Sequence, residues 1–353
     1  MSTLGKIALE RRYDECLPCR LPDFVADTIL GLEGRCSVGF RRIAVYAGVE
    51  KSCRVASDML KELCGLPVSP NTLRDLCHEE APKMEQWIER SPEVQQEFIN
   101  APGNVEVTMD GTCVNTTEGA REVKVCITSK RKRGQGVLPE RWGNRTKQEL
   151  PDIETCIAFA AVEECGDFQK RINFWRRRLR LGSTSDISVL GDGAVWLWNI
   201  SREEFGKIRE CLDVYHGLEH VSGTGKVVYG EGTEAYKKWQ AETTMEFLGS
   251  GFDEIEKRLD RLEKAERTDK EKESLRLLRG YLENNRERLC YRERLAEGRA
   301  IGSGQVEGAC KNLIGKRLKQ TWAKWLVPKL NRMAMLCAIR YCNQWEKYWQ
   351  QAK

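Results

Sequence analysis

Three acidic residues, far apart in the chain, have the residue type and the setting that metal-dependent phosphate chemistry uses. Asp110 and Asp192 each end a short, β-branched apolar run and precede a glycine, which is typical of a strand that delivers a carboxylate to a sheet edge. Glu307 stands where a glycine-rich stretch, 302–304, passes into a helical one. Oxygen ligands gathered in this way suit one or two hard cations such as Mg²⁺ or Mn²⁺. A single Asp-Gly is more often a turn than a ligand, so the surrounding sequence must decide.

Two further residues are candidates for the same centre. Asp213 also follows a short apolar run and is the alternative second ligand, but we prefer Asp192 because it ends the stronger run. His216 and His220 have the i, i+4 spacing that places both on one helix face, without the Glu of a metalloprotease motif. His216 could hydrogen-bond the scissile phosphate or Asp213, and a purely structural histidine pair remains equally open.

Basic residues form three clusters that could neutralise phosphates. Charge runs are usually solvated faces, but three of them flanking the proposed carboxylates favour DNA as the partner. The predicted DNA-contacting residues are Lys130, Arg131, Lys132, Arg133, Arg176, Arg177, Arg178, Arg180, Lys311, Lys316, Arg317 and Lys319. The tryptophans expected in the core or at an interface, rather than as base-stacking platforms, are Trp322, Trp325, Trp345 and Trp349.

The elements that position these residues are predicted from apolar periodicity. Strands are expected at 104–112, 122–129 and 153–161, then a basic helix from 165 to 180, the strand before Asp192, a helix near 196–198 and a short strand at 211–216. This order predicts an α/β fold with a mixed sheet covered by helices. The first and fourth strands can lie side by side, so Asp110 and Asp192 would meet at neighbouring strand ends.

Four regions follow from the same patterns. Region 1–102 is helical, with helices at 37–47 and 52–63, a break at Gly48, and a third helix capped by Ser69 with Pro70 at its first position. Its three helices are similar to a DNA-binding helix-turn-helix, although a plain helical bundle explains them equally well. The others are 103–231, the first part of a catalytic domain; 232–300, a charged helical insertion; and 301–353, the C-terminal helices of the catalytic domain.

Composition limits the class of protein. The 353 residues carry a net charge of +5 with 31% charged residues, which permits a polyanionic partner without requiring one. No apolar run approaches the roughly 18 residues of a membrane span and no signal peptide opens the chain, so we expect a cytoplasmic protein. The 15 cysteines are expected to be reduced thiols. Cys16 and Cys19 have metal-ligand spacing but no second cysteine pair. Ordinary buried thiols or the degenerate remnant of a zinc ribbon are therefore favoured over a bound zinc ion.

Four sequence motifs, taken together, resemble those of bacterial insertion-sequence transposases of the Kra-type group, which is distantly related to the Mutator-like transposases. They lie at 109–112, 191–198, 212–220 and 302–320, and the resemblance extends over roughly 15–350 with matching order and spacing. It implies an RNase H-like catalytic domain with a helical insertion and an Asp-Asp-Glu triad at Asp110, Asp192 and Glu307. It also implies that Asp213 and His216 lie close to the site, and that the protein assembles as a dimer or larger oligomer on DNA, associated with the bacterial nucleoid.

The predicted function is therefore metal-dependent DNA cleavage and strand transfer of an insertion sequence, with the element ends and the target DNA as substrates. Two alternatives stay open. One is a transposase-derived protein that binds DNA without catalysis. The other is an RNase H-type nuclease that only hydrolyses, which the presence or absence of strand joining would distinguish.

Overall fold

A five-stranded mixed sheet carries Asp110 and Asp192, the first within a strand and the second directly after one. The computed structural model describes residues 2–3, 5–8, 14–15, 22–23, 27, 32–33, 36–140, 150–182, 186–206, 208–320 and 322–351. The strands of this sheet are β1 Asn104–Thr116, β2 Gly119–Arg131, β3 Ile153–Ala161, β4 Ile187–Gly191 and β5 Arg209–Leu212. The α/β class is confirmed, and Cys16 and Cys19 lie outside the described residues.

The sheet has the order β3-β2-β1-β4-β5. Strands β1, β2 and β3 form an antiparallel meander, whereas β4 runs parallel to β1, and β5 runs parallel to β4. The predicted neighbourhood of the first and fourth strands is confirmed, with Val105 opposite Ile187 and Thr108 opposite Leu190. All five residues of β4 are buried, as the centre of a sheet with both faces covered requires.

Helices precede the sheet in the chain. Each of the first three is capped by a serine, Ser37, Ser52 or Ser69, whose hydroxyl accepts a hydrogen bond from the first helical turn. The helices before β1 are α1 Val38–Glu50, α2 Cys53–Cys64, α3 Pro70–Arg90 and α4 Pro92–Asn100. Before α1, Asp14–Glu15 pairs with Pro22–Asp23 and Leu32–Glu33 with Cys36–Ser37 as two-residue antiparallel ladders.

Gly48 does not end α1, and the predicted break there is wrong. The helix continues to Glu50, and the glycine instead allows close packing, because a Cβ at Gly48 would lie 2.6 Å from Cys77 Sγ of α3. Arg317 occupies the remaining space and donates to the Gly48 carbonyl at 2.7 Å. The sequence pattern at a single glycine cannot distinguish a helix break from a close contact.

The N-terminal helices share a core with the C-terminal end of the chain. Both α1 and α3 pack against α13, Val327–Tyr341. A buried ion pair joins Arg41 of α1 to Glu80 of α3 at 2.6 Å, and the Tyr348 hydroxyl contacts the same Glu80 carboxylate. Residue 102 therefore separates helical from strand sequence, but it does not separate two cores.

The remaining helices lie around the sheet and in the predicted insertion. In the chain, the first of them, α5, follows β3; α6 lies between β4 and β5; and α7 follows β5. They are α5 Cys165–Arg178, α6 Val195–Phe205, α7 Val214–Tyr229, α8 Glu234–Ser250, α9 Phe252–Glu263, α10 Asp269–Asn284, α11 Tyr291–Ala296, α12 Gly304–Ala309 and, after α13, α14 Trp345–Gln351. A 3₁₀ turn lies at Arg286–Arg288, and α12 continues as a π-helical turn at Cys310–Gly315 and a last turn at Lys316–Leu318. The helical character of region 232–300 is confirmed.

Two expectations in the second half of the chain need correction. The strand predicted at 211–216 ends at Leu212, because Asp213 caps helix α7. Of the four tryptophans expected in the core or at an interface, Trp345 and Trp349 are buried, Trp325 is half-buried and Trp322 is 95% exposed, so a core position is wrong for Trp322. Trp322 lies in the irregular segment between α12 and α13 with a left-handed backbone, φ 66°.

Two properties of the described residues bear on the composition argument. The thirteen cysteines that the structure describes are all free thiols, as predicted for them. None of the described helices has both the length and the apolar character needed to cross a lipid bilayer.

Candidate active site

Three aspartates lie level with one another across three adjacent parallel strands: Asp110 lies within β1, which continues to Thr116, whereas Asp192 and Asp213 directly follow β4 and β5. The expectation that Asp110 ends its strand is therefore wrong. The register that pairs Thr108 with Leu190 places Asp110 opposite Asp192 two residues later. The register between β4 and β5 likewise places Asp213 beside Asp192, one residue after the last paired positions. Side chains at the same level of neighbouring strands point to the same face of the sheet. Strand order therefore brings Asp110 beside Asp192, which lies 82 positions later in the sequence.

The pair formed by Asp110 and Asp192 has uncompensated negative charge. Burial raises the pKa of Asp110, and the charge of Asp192 adds to this, while hydrogen bonds from the Cys310 thiol and the Gly111 N–H oppose it. The main-chain N–H of Ala194 donates to one Asp192 oxygen at 3.0 Å. Within the described part of the chain, no lysine or arginine forms an ion pair with either aspartate. Two half-buried carboxylates in this position provide a favourable environment for a cation.

Asp213 has a different role from that of a free ligand. One of its oxygens accepts the main-chain N–H of His216 at 2.8 Å, which caps α7. The other accepts both the main-chain N–H of Ser303 and its hydroxyl, the latter at 2.7 Å. Asp213 is buried, and it fixes the turn at 302–304 that leads into the helix of Glu307. The geometry makes it a positioning residue.

Glu307 lies in the first turn of α12, which packs on β1 and β2. Its charge helps to raise the pKa of the Tyr215 hydroxyl, after burial and Asp213, so it lies near the sheet edge. Its carboxylate, however, pairs with Lys311 at 2.6 Å on the same helix and is half exposed. As the side chains stand, no group of three His, Cys, Asp or Glu residues in the described ranges is close enough to hold a metal ion. Of the predicted triad, Asp110 and Asp192 lie level with each other, and Glu307 is turned towards Lys311.

The histidines form an aromatic group with a residue that the sequence did not indicate. The rings of His216 and His220 are 5.2 Å apart, and the ring of Tyr281 stacks on His220 at 3.9 Å. The Tyr281 hydroxyl donates to the main-chain oxygen of Asp192 at 3.0 Å. Only the main chain of His216 bonds to Asp213, since its ring lies 3.6 Å from Glu219. Tyr281 is in the charged insertion, where no local pattern distinguishes it.

Several predicted DNA contacts are engaged inside the protein. Lys130 donates to the carbonyls of Ile99 and Ala101, and Arg131 pairs with the buried Glu106 at 3.1 Å. Arg317 is buried, and Arg178 donates to the Ser91 carbonyl. These side chains stabilise the fold, and we do not retain Lys130, Arg131, Arg178 or Arg317 as phosphate contacts.

The other predicted contacts lie at the surface or near it. Four of them form ion pairs, namely Lys132 with Glu154, Arg133 with Asp186, Arg176 with Glu204 and Lys311 with Glu307. Arg177, Arg180, Lys316 and Lys319 are exposed. Lys319 contacts the Thr112 hydroxyl, two residues after Asp110 on β1. Lys311 therefore places positive charge at Glu307 and Lys319 places it near Asp110, while the exposed Lys316 lies between them in the chain.

Two cavities differ in their relation to these carboxylates. A small one of about 250 Å³ is lined by the Glu106–Arg131 pair, the Gly302 turn, and Thr108, Tyr215 and Gln305, which lie two positions from Asp110, Asp213 and Glu307; the carboxylates themselves are not in its lining. A larger groove of about 890 Å³ lies between α1, α2 and α14, with Leu63 among its apolar walls, and contains none of the predicted site residues. Charge and register, rather than cavity size, identify the functional edge.

Comparison with known proteins gives no relative from which to transfer a function: no family model and no curated protein matches the chain. The candidate site must therefore be judged on its own geometry.

Proposed function

We propose that this protein is a DDE-type transposase of the insertion-sequence kind, an enzyme that cuts and joins DNA with Mg²⁺ or Mn²⁺ on an RNase H-like fold. The observation that carries the proposal is the level placement of Asp110 and Asp192 on adjacent parallel strands, without a basic partner among the described residues. The sheet order β3-β2-β1-β4-β5 and the helical insertion between β5 and α12 support the RNase H-like part of it.

Each residue of the candidate site would have a separate role. Asp110 and Asp192 would hold the cation, with Glu307 as a third ligand once its side chain leaves Lys311. A surface ion pair of this kind is weak enough for that exchange. A bound divalent cation neutralises charge on the reacting phosphate and favours ionisation of water. Asp213 keeps the turn at 302–304, and with it the helix of Glu307, against the sheet edge.

The reaction would proceed in two steps. A water oxygen bonds to phosphorus as the bond from phosphorus to the 3′ oxygen breaks, which frees a 3′-hydroxyl at the element end. That hydroxyl then attacks a phosphodiester of target DNA in line with the leaving oxygen. The His216 ring is partly exposed beside Asp110 and can donate a hydrogen bond to a phosphate oxygen. No side-chain nucleophile is required.

DNA would approach across the exposed lysines beside the carboxylates. Lys311, Lys316 and Lys319 supply phosphate contacts, and the exposed Trp322 lies three residues after Lys319. The exposed first turn of α3, with Asn71 and Arg74, is the N-terminal candidate for a groove contact. Assembly as a dimer or larger oligomer on paired ends is the part of the proposal that rests on the family resemblance alone.

The test is Mg²⁺-dependent cleavage and joining of a labelled duplex taken from the DNA that flanks the coding region. We expect Asp110→Asn and Asp192→Asn each to lower the cleavage rate by about a thousandfold or more while DNA binding persists. Asp167→Asn, an exposed aspartate on α5, is the matched control and should cleave as wild type does. Equal cleavage by wild type and Asp110→Asn would refute catalysis, and cleavage without joining would indicate a nuclease.

A second candidate function is DNA binding without catalysis. It is favoured by the pairing of Glu307 with Lys311 and by the lack of a three-residue ligand group in the described ranges. In that case the wild type would bind the flanking DNA, and neither Mg²⁺ nor Mn²⁺ would produce cleavage.

A further inference from the structure

Tyr281 of the insertion closes against the turn that carries Asp192. Its hydroxyl donates to the Asp192 main-chain oxygen at 3.0 Å, across 89 positions of sequence. The next residue, Gly193, has φ 101°, and a Cβ there would lie 3.2 Å from both the Tyr281 hydroxyl and its ring. Glycine at this position therefore permits both the turn and the approach of the tyrosine.

The tyrosine ring makes a second contact that links the same turn to α7. It stacks on the ring of His220 with centroids 3.9 Å apart and an interplanar angle of 22°. His220 in turn meets His216 edge-on at 5.2 Å, and both histidines belong to the helix that Asp213 caps. Tyr281 thus joins two strand-end segments, one ending in Asp192 and the other in Asp213.

The insertion does not need this hydroxyl to remain in place. Leu275, Leu278 and Leu282 bury the inner face of α10. Beyond that helix, Arg288 pairs with Glu210 of β5 at 2.7 Å and lies 4.4 Å over the ring of Trp198. Because other contacts anchor the insertion, the bond from Tyr281 to Asp192 can be tested separately from folding.

We propose that Tyr281 is a positioning residue that holds the Asp192 turn so that its carboxylate faces Asp110, which makes the helical insertion a structural part of the cation site. The inference rests on the proposed function for its cation. A tyrosine hydroxyl is protonated at neutral pH, so it can donate the hydrogen bond to the Asp192 main-chain oxygen that the structure shows. Loss of the hydroxyl leaves the carboxylate present but less well fixed.

The experiment compares Tyr281→Phe with Tyr291→Phe in the full chain. Tyr291 is also a buried tyrosine of the insertion, but its hydroxyl has no hydrogen-bond partner among the described residues. Mn²⁺ binding is measured by the electron paramagnetic resonance signal of the free ion, and thermal melting is measured in EDTA. DNA affinity and Mg²⁺-dependent cleavage are recorded on the same preparations.

We expect Tyr281→Phe to raise the Mn²⁺ concentration for half-saturation about tenfold, with Tyr291→Phe unchanged. DNA affinity without metal should stay the same, and cleavage by Tyr281→Phe should recover at high Mg²⁺. Equal Mn²⁺ binding by wild type and Tyr281→Phe would overturn the inference, as would equal weakening in both variants. If Tyr281→Phe does not fold, His220→Ala replaces it, with an expected weakening of about threefold.

Failure of this inference and failure of the proposed function give different results. If wild type cleaves DNA but Tyr281→Phe binds Mn²⁺ normally, only the inference fails. If wild type does not cleave, but its Mn²⁺ binding requires Asp192 and is weakened in Tyr281→Phe, only the proposed function fails. If wild type binds no Mn²⁺, both fail.

Discussion

Strand β4 has a carboxylate in ion pairs with arginines at one end, and at the other end it has carboxylates for which the described residues provide no ion pair. Just before the strand, Asp186 accepts hydrogen bonds from Arg299 at 2.6 Å and Arg133 at 3.0 Å. Just after it, Asp192 faces Asp110, and the described residues place no arginine or lysine in an ion pair with either. The separation between the two arrangements is only the length of a five-residue strand.

The pKa values of the two ends differ accordingly. Burial alone would raise the pKa of Asp186, but the hydrogen bonds from Arg299 and Arg133 hold it below its usual range. At the other end, burial raises the pKa of Asp110, and the charge of Asp192 acts in the same direction. Arginines were available to this fold, so their absence from the second pair is informative. The paired end is held by ion pairs, and the unpaired end is where we propose that a cation binds.

The largest expected effect is at the paired end. Arg299→Ala should lower the free energy of unfolding by about 3 kcal/mol, because the Arg299 side chain is fully buried and its removal leaves a cavity. Asp186 and Glu297 would each keep only an exposed partner, Arg133 and Arg209 respectively. Denaturant unfolding measures this. Arg133→Ala removes the exposed partner of the same aspartate and is the control, with a change within about 0.5 kcal/mol. Similar losses in both variants would contradict a structural role specific to the buried arginine.

Asp213 lies level with Asp192 but is hydrogen-bonded to His216 and Ser303. It therefore tests whether its place in the sheet or its hydrogen-bond partners determine the role of such an aspartate. Asp213→Asn should lower the free energy of unfolding by about 2 kcal/mol, because its amide group would face the N–H donors of Ser303 or His216. Ser303→Ala keeps the main-chain donor and should lower the free energy of unfolding by about half as much as Asp213→Asn does. Unchanged stability with abolished cleavage would instead place Asp213 among the cation ligands.

Asp110→Asn should change the free energy of unfolding in the opposite direction, and by less than Asp213→Asn does. The folded-state pKa of Asp110 is raised, so the stability this group contributes is present below its ordinary pKa and is lost as pH rises through the raised value. At neutral pH without metal, the neutral amide should therefore raise the free energy of unfolding, by up to about 1 kcal/mol. The difference should vanish in acid, where the wild-type carboxyl is protonated. Destabilisation by Asp110→Asn at neutral pH would contradict uncompensated charge.

The comparison also shows what the sequence could and could not predict. The meeting of Asp110 and Asp192 followed from strand order, because the fourth strand lies beside the first. The predicted strand ends did not hold for Asp110, which lies within β1. The identity of their partners did not follow. Asp192 and Asp213 have similar local sequence, and only the return of the chain at Ser303 distinguishes them. Tyr281 reaches the site from a helix whose local pattern is only charge and leucine.

Charge runs were the least reliable part of the prediction. A cluster such as Lys130 and Arg131 has the same sequence whether its side chains face solvent or the protein, and here both bind carbonyls or Glu106 inside. Arg317 fills the space beside Gly48, a contact that depends on a helix more than 260 positions away. Trp322 was expected in the core or at an interface, and it lies exposed in the segment that follows α12, outside the core. Such features depend on tertiary packing that local periodicity does not contain.

The smallest expected effect concerns the third ligand. Lys311→Met removes the partner of Glu307 on an exposed helix face, so the melting temperature should not change measurably. If Glu307 must leave Lys311 to reach the cation, the variant should bind Mn²⁺ slightly more tightly, by about twofold, because that exchange is no longer needed. Lys316→Met, which removes an exposed lysine one and a half turns later, should leave Mn²⁺ binding unchanged. Weaker Mn²⁺ binding by Lys311→Met would mean that the ion pair holds Glu307 in place, and the paired carboxylate would then belong with Asp186 as a structural group.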